Sequence, residues 1–201
     1  MADNLKKGEI ATLEHSKFVI GLGWDTEIIN TTDATYKWFK RVFIKKAFIY
    51  DFEIDASVFI LGENKKMLCE EYFVFYNNLK TPDCSVELKS DFIEHDDDKE
   101  RIIVDLVKIN ANATEIRILL SIYNAIQLRQ NFGQVRNPFV RIYNPDNNDE
   151  ILKYELREIF SNETVVELGR IFRCNGGWKF EAVGIGHKDG LQYFVDKYVN
   201  F

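Results

Sequence analysis

The chain has 201 residues, of which 46% are hydrophobic and 14% aromatic; this content suffices for a sizeable core and argues against a disordered chain. A formal net charge of −6 argues against non-specific nucleic-acid binding and favours cation binding. No segment approaches the roughly 18 consecutive apolar residues of a membrane span, so we expect a cytoplasmic protein. Cys69, Cys84 and Cys174 are far apart in the sequence, and we expect them to be reduced and buried.

Short β-rich runs separated by polar breaks predict an all-β protein. Segment 70–88 predicts a hairpin, because Asn77, Asn78, Pro82 and Asp83 are typical turn residues. Further strands are predicted at 101–106, 115–125 and 138–144, and the pair Asn175-Gly176 within 171–186 predicts a two-residue hairpin turn.

Helical patterns are few. Segment 190–199 has apolar residues at helical spacing and predicts a short C-terminal helix, while 162–169 fits either a short helix or a strand. No repeat or linker divides the chain. We therefore predict one domain over 1–201, a β-sandwich of two mainly antiparallel sheets with one or two short peripheral helices.

Segment 35–50, within an insertion at about 31–50, carries five basic residues interleaved with aromatic residues and no acidic residue. It fits either a basic amphipathic helix or a strand or hairpin. Aromatic side chains beside positive charge are typical of interface anchors, so we expect Trp38, Phe39 and Phe43 to bind a protein partner or to mediate self-association. The alternative is that these aromatic residues belong to the core.

Two acidic segments suggest a metal site. Residues 91–100 include six carboxylates, and Asp51, Glu53 and Asp55 alternate so that a strand would place them on one face. A solvated acidic loop is the plainer interpretation of the first segment. The spacing from Asp51 does not fit an EF-hand, but two separated acidic segments can supply the oxygen ligands that Ca²⁺ accepts.

Five motifs occur in the order found in the TerD family of tellurium-resistance and general stress proteins, which the chain resembles over nearly its whole length. They are GLGWD at 21–25, FEIDASVFIL at 52–61, FVFYNNLKTPDCSV at 73–86, RQNFGQVRNPFVRIYN at 129–144 and NGGWKFEAVGIG at 175–186. This resemblance implies a calcium-binding β-sandwich without established catalytic activity.

The resemblance also implies the candidate ligands. The family's acidic strand usually reads FDLDAS, and its two acidic positions are Glu53 and Asp55 here. The complete candidate set for Ca²⁺ is Asp25, Glu53, Asp55, Asn77, Asp91, Asp96, Asp98 and Glu100. The family's calcium loop is longer and rich in glycine, whereas this loop lacks those glycines and has Lys99 where the family tends to have an acid. Both departures are expected to weaken the site.

The sequence gives little indication of catalysis. His15, His95 and His187 are isolated from any nucleophile pattern, and the segments GLGWD and GIGHKDG do not match GxGxxG and are interpreted as turns. We expect a non-enzymatic calcium-binding stress-response protein. A metal-independent interaction module is the first alternative, and a metal-dependent hydrolase is the last.

Overall fold

The computed structural model describes residues 2–26, 52–89, 97–158 and 160–199. The insertion at about 31–50, with Trp38, Phe39 and Phe43, lies outside these ranges, so its boundaries and its partner-binding role stay predictions. The candidate ligands Asp91 and Asp96 also lie outside them.

The described residues form two six-stranded sheets that pack face to face, which confirms the predicted all-β sandwich. Numbered in chain order, the first sheet contains, in spatial order, Asp3–Leu5 (β1), Glu150–Glu155 (β10), Val135–Tyr143 (β9), Lys17–Thr26 (β3), Glu100–Asp105 (β7) and Val86–Lys89 (β6). The second contains Ile10–Leu13 (β2), Gly177–His187 (β12), Val165–Cys174 (β11), Glu115–Ile122 (β8), Ile54–Leu61 (β4) and Phe73–Val74 (β5). The β1–β10 pair is parallel, and the other pairs are antiparallel.

The helical elements are short and peripheral, as predicted. They are α1 (Ala125–Leu128), α2 (Gly190–Tyr198) and two 3-10 helices at Glu70–Tyr72 and Phe132–Gln134. Helix α2 confirms the prediction for 190–199. Within the described ranges, no helix is long and apolar enough to cross a membrane.

The core follows from the alternation of side chains along the strands. Ile20 and Leu22 of β3 and their neighbours point inward from the first sheet, and Val58 and Ile118 do so from the second; all four are fully buried. A second apolar cluster lies on the outer face of the second sheet, where Phe194 of α2 packs over Phe59 of β4 and its neighbours. Helix α2 therefore covers part of that outer face.

Several predicted strands are confirmed. The predicted runs 101–106, 115–125 and 138–144 correspond to β7, β8 and part of β9. Asn175 and Gly176 connect β11 to β12 with φ of 51° and 80°, the positive values that a two-residue hairpin turn requires. Segment 162–169 belongs mostly to β11, because Val165 and Val166 pair with strands on both sides. The strand alternative was therefore correct for that segment.

The predicted hairpin at 70–88 is wrong as a single hairpin, although Lys80 and Glu87 form an isolated antiparallel bridge around the predicted turn at Pro82 and Asp83. Its two strands, β5 and β6, belong to different sheets. The segment between them is held by Asp83, whose carboxylate accepts hydrogen bonds from the Thr81 hydroxyl at 2.7 Å, the Ser85 hydroxyl at 2.6 Å and the Tyr72 hydroxyl at 2.9 Å. The turn residues thus stabilise a crossing between sheets.

Two further expectations are wrong. Segment GLGWD lies within β3, and GIGHKDG begins within β12, so neither is simply a turn. Cys69 and Cys84 are exposed, and Cys174 is intermediate, although all three are free thiols as expected. Cys84 lies in the crossing segment and has a positive φ of 55°.

Candidate metal centre

Described residues from the two acidic segments lie at one end of the sandwich, where β4 and β7 begin. In the first sheet, Leu22 near the end of β3 pairs with Glu100 at the start of β7, and Lys89 at the end of β6 pairs with Arg101. In the second sheet, Ile54 at the start of β4 pairs with Ile122 at the end of β8. Because the charge of Asp55 acts on Glu100, the beginnings of β4 and β7 lie at the same end of the fold.

Glu100 is the most strongly perturbed carboxyl group at this end. It shares the inward face of its strand pair with the fully buried Leu22, and its Oε2 atom is buried without a hydrogen-bond partner. Burial, and to a smaller extent the charge of Asp55 on the facing sheet, together raise the pKa of Glu100 to about 7. The two carboxyl groups are thus electrostatically coupled across the sandwich.

Asp55 is half-buried near the start of β4. Its pKa is raised by burial and then by the neighbouring charge of Glu53. Glu53 itself is exposed, immediately before the strand. Glu53, Asp55 and Glu100 therefore interact electrostatically at this end of the fold, although the buried Ile54 and Ala56 on either side of Asp55 show that its side chain leaves β4 on the outer face of the second sheet.

Asp98 is engaged elsewhere. Gly21 lies between Arg101 on β7 and Arg141 on β9, and the Asp98 side chain, which is fully buried, covers this glycine. Arg141 Nε donates to Asp98 Oδ1 at 2.8 Å, and Arg101 Nε lies 3.5 Å from Oδ2. Because Gly21 and Leu22 present opposite faces of β3, the Asp98 carboxylate and the Glu100 side chain lie on opposite faces of the first sheet.

Asp25 and Asp97 line a separate cleft of about 420 Å³ on the outer face of the first sheet. Asn137 donates to Asp25 Oδ2 at 2.8 Å. The cleft also contains the cations Lys99, Lys153 and Arg157, so its charge is mixed. Asp97 is exposed.

Asn77 occupies an exposed turn, closed by reciprocal backbone hydrogen bonds between Phe75 and Asn78. The structure thus distributes the described candidate ligands over four places. Among the described residues, no three His, Cys, Asp or Glu side chains form a group suited to holding a metal ion. A complete ligand set at the sandwich end requires donors from outside the described ranges, from backbone carbonyls or from water.

Sequence reasoning missed the partners of Asp98. An acidic residue in an acidic run looks like a metal ligand, and only the strand register shows that Arg101 and Arg141 flank it. The glycines of GLGWD were the available signal, since glycine inside a strand often marks close approach of another group. A Cβ atom at Gly21 would overlap the Asp98 carboxyl group.

The comparison with protein families decides the classification. The TerD domain model matches residues 1–198. The chain belongs to the TerD family. It is 37% identical over 205 residues to general stress protein 16U of Bacillus subtilis strain 168, covering 98% of this chain and 97% of that protein. It is 35% identical over 205 residues to the tellurium resistance protein TerD of an Alcaligenes species, with the same coverage of 98% and 97%.

A solved structure shares the fold. The crystal structure of a homologue of telluride resistance protein (TerD) from Streptomyces coelicolor A3(2) aligns with a TM-score of 0.62 at 13% identity, covering 89% of this chain and 94% of that one. The TerD-family architecture is therefore retained at low sequence identity.

Proposed function

We propose that this TerD-family chain is a non-enzymatic, cytoplasmic stress-response protein that binds Ca²⁺ at the end of the sandwich where β4 and β7 begin. The observation that carries the proposal is the Glu100 carboxyl group, which is largely buried, has an unpartnered Oε2 atom and is coupled to Asp55. A buried carboxylate without a compensating charge is unfavourable, and a bound cation removes that penalty.

The residues present fit Ca²⁺ chemically. Calcium accepts about 6–8 oxygen ligands in flexible geometry, and Glu53, Asp55 and Glu100 supply carboxylate oxygens. Asp91 and Asp96 are retained as ligands from the sequence. When bound, the ion supplies positive charge that neutralises these carboxylates and connects the two acidic segments. Asp98 is left out of the proposed set because its carboxylate is held by two arginines.

We interpret His187 as a structural residue. The ring of this residue packs edge to face on Phe194 with centroids 4.7 Å apart, which is a structural contact. Burial lowers the pKa of His187, and the charge of Lys197 lowers it further. The names of the relatives, which are stress and tellurium-resistance proteins, support a role in a stress response.

A metal-independent interaction module is the second candidate function. It is favoured by exposed apolar side chains at the same end of the fold, where Tyr76 is 56%, Tyr123 48% and Ile126 75% exposed. Under this alternative, Trp38, Phe39 and Phe43 of the basic segment bind a protein partner or a second copy without calcium.

The test compares thermal unfolding of wild type, Glu100→Gln and the exposed control Glu63→Gln in metal-free buffer and with millimolar Ca²⁺. Wild type and Glu63→Gln should melt at higher temperature with Ca²⁺, because binding to the native state alone adds about 2.7 kcal/mol at a hundredfold excess over Kd. Glu100→Gln should melt above wild type without metal, since a buried charge is removed, and should gain nothing from Ca²⁺. An equal calcium response in all three proteins would refute the proposed site.

A further inference from the structure

A second cavity lies on the outer face of the second sheet, where β4 begins and β8 ends. Its volume is about 400 Å³, and it is enclosed by α1, the first residues of α2 and the turn that carries Tyr76. Tyr123, Ile126 and Leu191 give it largely apolar walls. Because it opens to solvent beside exposed aromatic rings, this cavity is accessible to a small ligand.

The floor carries three oxygen-bearing side chains on one face of two paired strands. Asp55 of β4 is directly opposite Ser121 of β8, and Ser57 follows two residues along β4 on the same face. Ser57 is 1% exposed, and its Oγ atom has no hydrogen-bond partner. A buried hydroxyl that lines a cavity without a partner indicates an absent hydrogen-bonding group.

The charge of the residues that line the cavity determines whether the hydrogen-bonding group of the ligand is a cation or an anion. Among the described residues that line it, Asp55 alone carries a formal charge. Its carboxylate is half-buried on the floor of the cavity, so a positively charged ligand is stabilised here and an anion is repelled. Tyrosine rings add to the attraction, because their faces bind cations and their surfaces pack against an alkyl chain.

We propose that this cavity binds a primary alkylammonium group. An ammonium has three N–H donors and no acceptor, which matches the acceptors of Asp55, Ser57 and Ser121 in number and type. The alkyl chain of the ligand extends from the ammonium group and packs against Tyr123 and Ile126. The group comes either from a free small amine or from a lysine side chain of another protein. The proposal shares Asp55 with the calcium proposal but does not depend on it.

The experiment uses pentylammonium as the probe, added to full-length, metal-free protein while amide resonances are followed by NMR. Saturable shifts are expected at residues 55–57, 121–126 and 190–192, whereas 1-pentanol, which lacks the charge, and pentyltrimethylammonium, which lacks N–H donors, should bind at least about tenfold more weakly. Equal affinity for all three compounds would show an unspecific apolar cavity and overturn the proposal.

Variants test the individual acceptors. Ser57→Ala and Ser121→Ala should each lower the affinity for pentylammonium about tenfold, since a hydrogen bond to a charged donor is lost. Ser161→Ala, in an exposed loop, is the matched control and should bind as wild type does. Tyr123→Ala, compared with Tyr193→Ala on the exposed side of α2, tests the aromatic wall without disturbing the core. Unchanged affinity in both Ser57→Ala and Tyr123→Ala would overturn the proposal even if Ser121→Ala failed to fold.

A second arm distinguishes the source of the group. Nα-acetyl-lysine N-methylamide presents the same ammonium on a peptide backbone. Binding of this compound at least as strongly as pentylammonium supports a lysine of a partner protein, and binding more than about tenfold weaker supports a free amine. Absence of saturable shifts with both compounds would overturn the proposal. Since every titration is performed without metal, its result is independent of whether Ca²⁺ binds.

Discussion

Gly21 determines where the Asp98 carboxylate lies. The strand register places Arg101 and Arg141 on either side of this glycine, and the missing side chain leaves room for the carboxylate between them. The negative charge of this buried carboxylate is well compensated by the two guanidinium groups. Without the carboxylate, the two guanidinium groups would repel each other. This cluster therefore fixes the start of β7 on the first sheet.

Gly21→Ala should lower the free energy of unfolding by at least about 2 kcal/mol, because the new methyl group displaces the Asp98 carboxyl group. Urea denaturation measures the change. Gly177→Ala is the matched control, since the nearest atom to its added Cβ is the Cys174 carbonyl oxygen at 3.9 Å and it should be close to neutral. Equal stability of the two variants would mean that Asp98 is not held as described.

Substitutions of Asp55 and Asp97 distinguish the proposed calcium site from the neighbouring cleft. Asp55 is half-buried and coupled to Glu100, whereas Asp97 is exposed in the mixed-charge cleft. Asp55→Asn should remove most of the calcium affinity, and Asp97→Asn should leave it nearly unchanged. Calorimetric titration with Ca²⁺ measures both. Similar losses in the two variants would show that the ion lies nearer to residue 97.

Asp83 makes stability depend on pH. Partial burial acts to raise the pKa of Asp83, but hydrogen bonds from Ser85 and Thr81 outweigh it and hold the pKa below its ordinary value of 3.8. The folded protein therefore releases this proton more readily than the unfolded chain does. The stabilisation is complete above the ordinary pKa and is lost as the pH falls through the lower folded pKa.

Asp83→Asn should cost about 2 kcal/mol at about pH 6, and the difference from wild type should shrink towards about pH 3. Denaturation curves at a series of pH values measure it, with the exposed Asp146→Asn as control. A difference that stays constant over this range would show that Asp83 is not the titrating group.

At the scale of elements, helix α2 closes the outer face of the second sheet. Phe194 and Tyr198 bury their rings against Phe59 of β4, and Arg117 beneath Tyr198 is paired with Glu167 at 2.5 Å. The helix thus covers apolar side chains together with an ion pair that is largely buried. Its attachment depends on the rings because they exclude water from that pair.

Phe194→Ala should therefore destabilise the fold by about 3–5 kcal/mol and increase amide exchange throughout 190–198. Tyr193→Ala, one position earlier and 41% exposed, provides the comparison and should change stability by less than about 1 kcal/mol. Equal amide exchange rates in α2 of the two variants would mean that α2 does not depend on this contact.

The elements predicted correctly are those defined by local pattern. Helix α2 followed from apolar spacing, and the β11–β12 hairpin followed from Asn175-Gly176. The crossing between β5 and β6 was not predictable in this way, because turn residues look the same whether the strands they connect share a sheet or face each other. The position of Asp98 also depends on long-range register, which no local pattern contains. Glu53 and Asp55 were predictable as a pair from their alternation, but their coupling to Glu100 arises only in the folded sandwich.

At the scale of the whole molecule, the fold brings together carboxylates that are distant in sequence. Glu100 belongs to the first sheet and Asp55 to the second, so a cation between the acidic segments connects both layers. A net charge of −6 adds a general attraction for cations, which salt screens. Calcium should therefore stabilise the complete sandwich rather than a single loop.

The central claim is tested most directly by equilibrium dialysis of metal-free, full-length protein against Ca²⁺ at micromolar to millimolar concentrations, with Mg²⁺ in parallel. We predict saturable binding of at least one Ca²⁺ per chain, weaker binding of Mg²⁺ because it requires a more rigid octahedral site, and loss of the Ca²⁺ binding in Glu100→Gln. Absence of bound Ca²⁺ above background at millimolar concentration would contradict the account and favour the metal-independent interaction module.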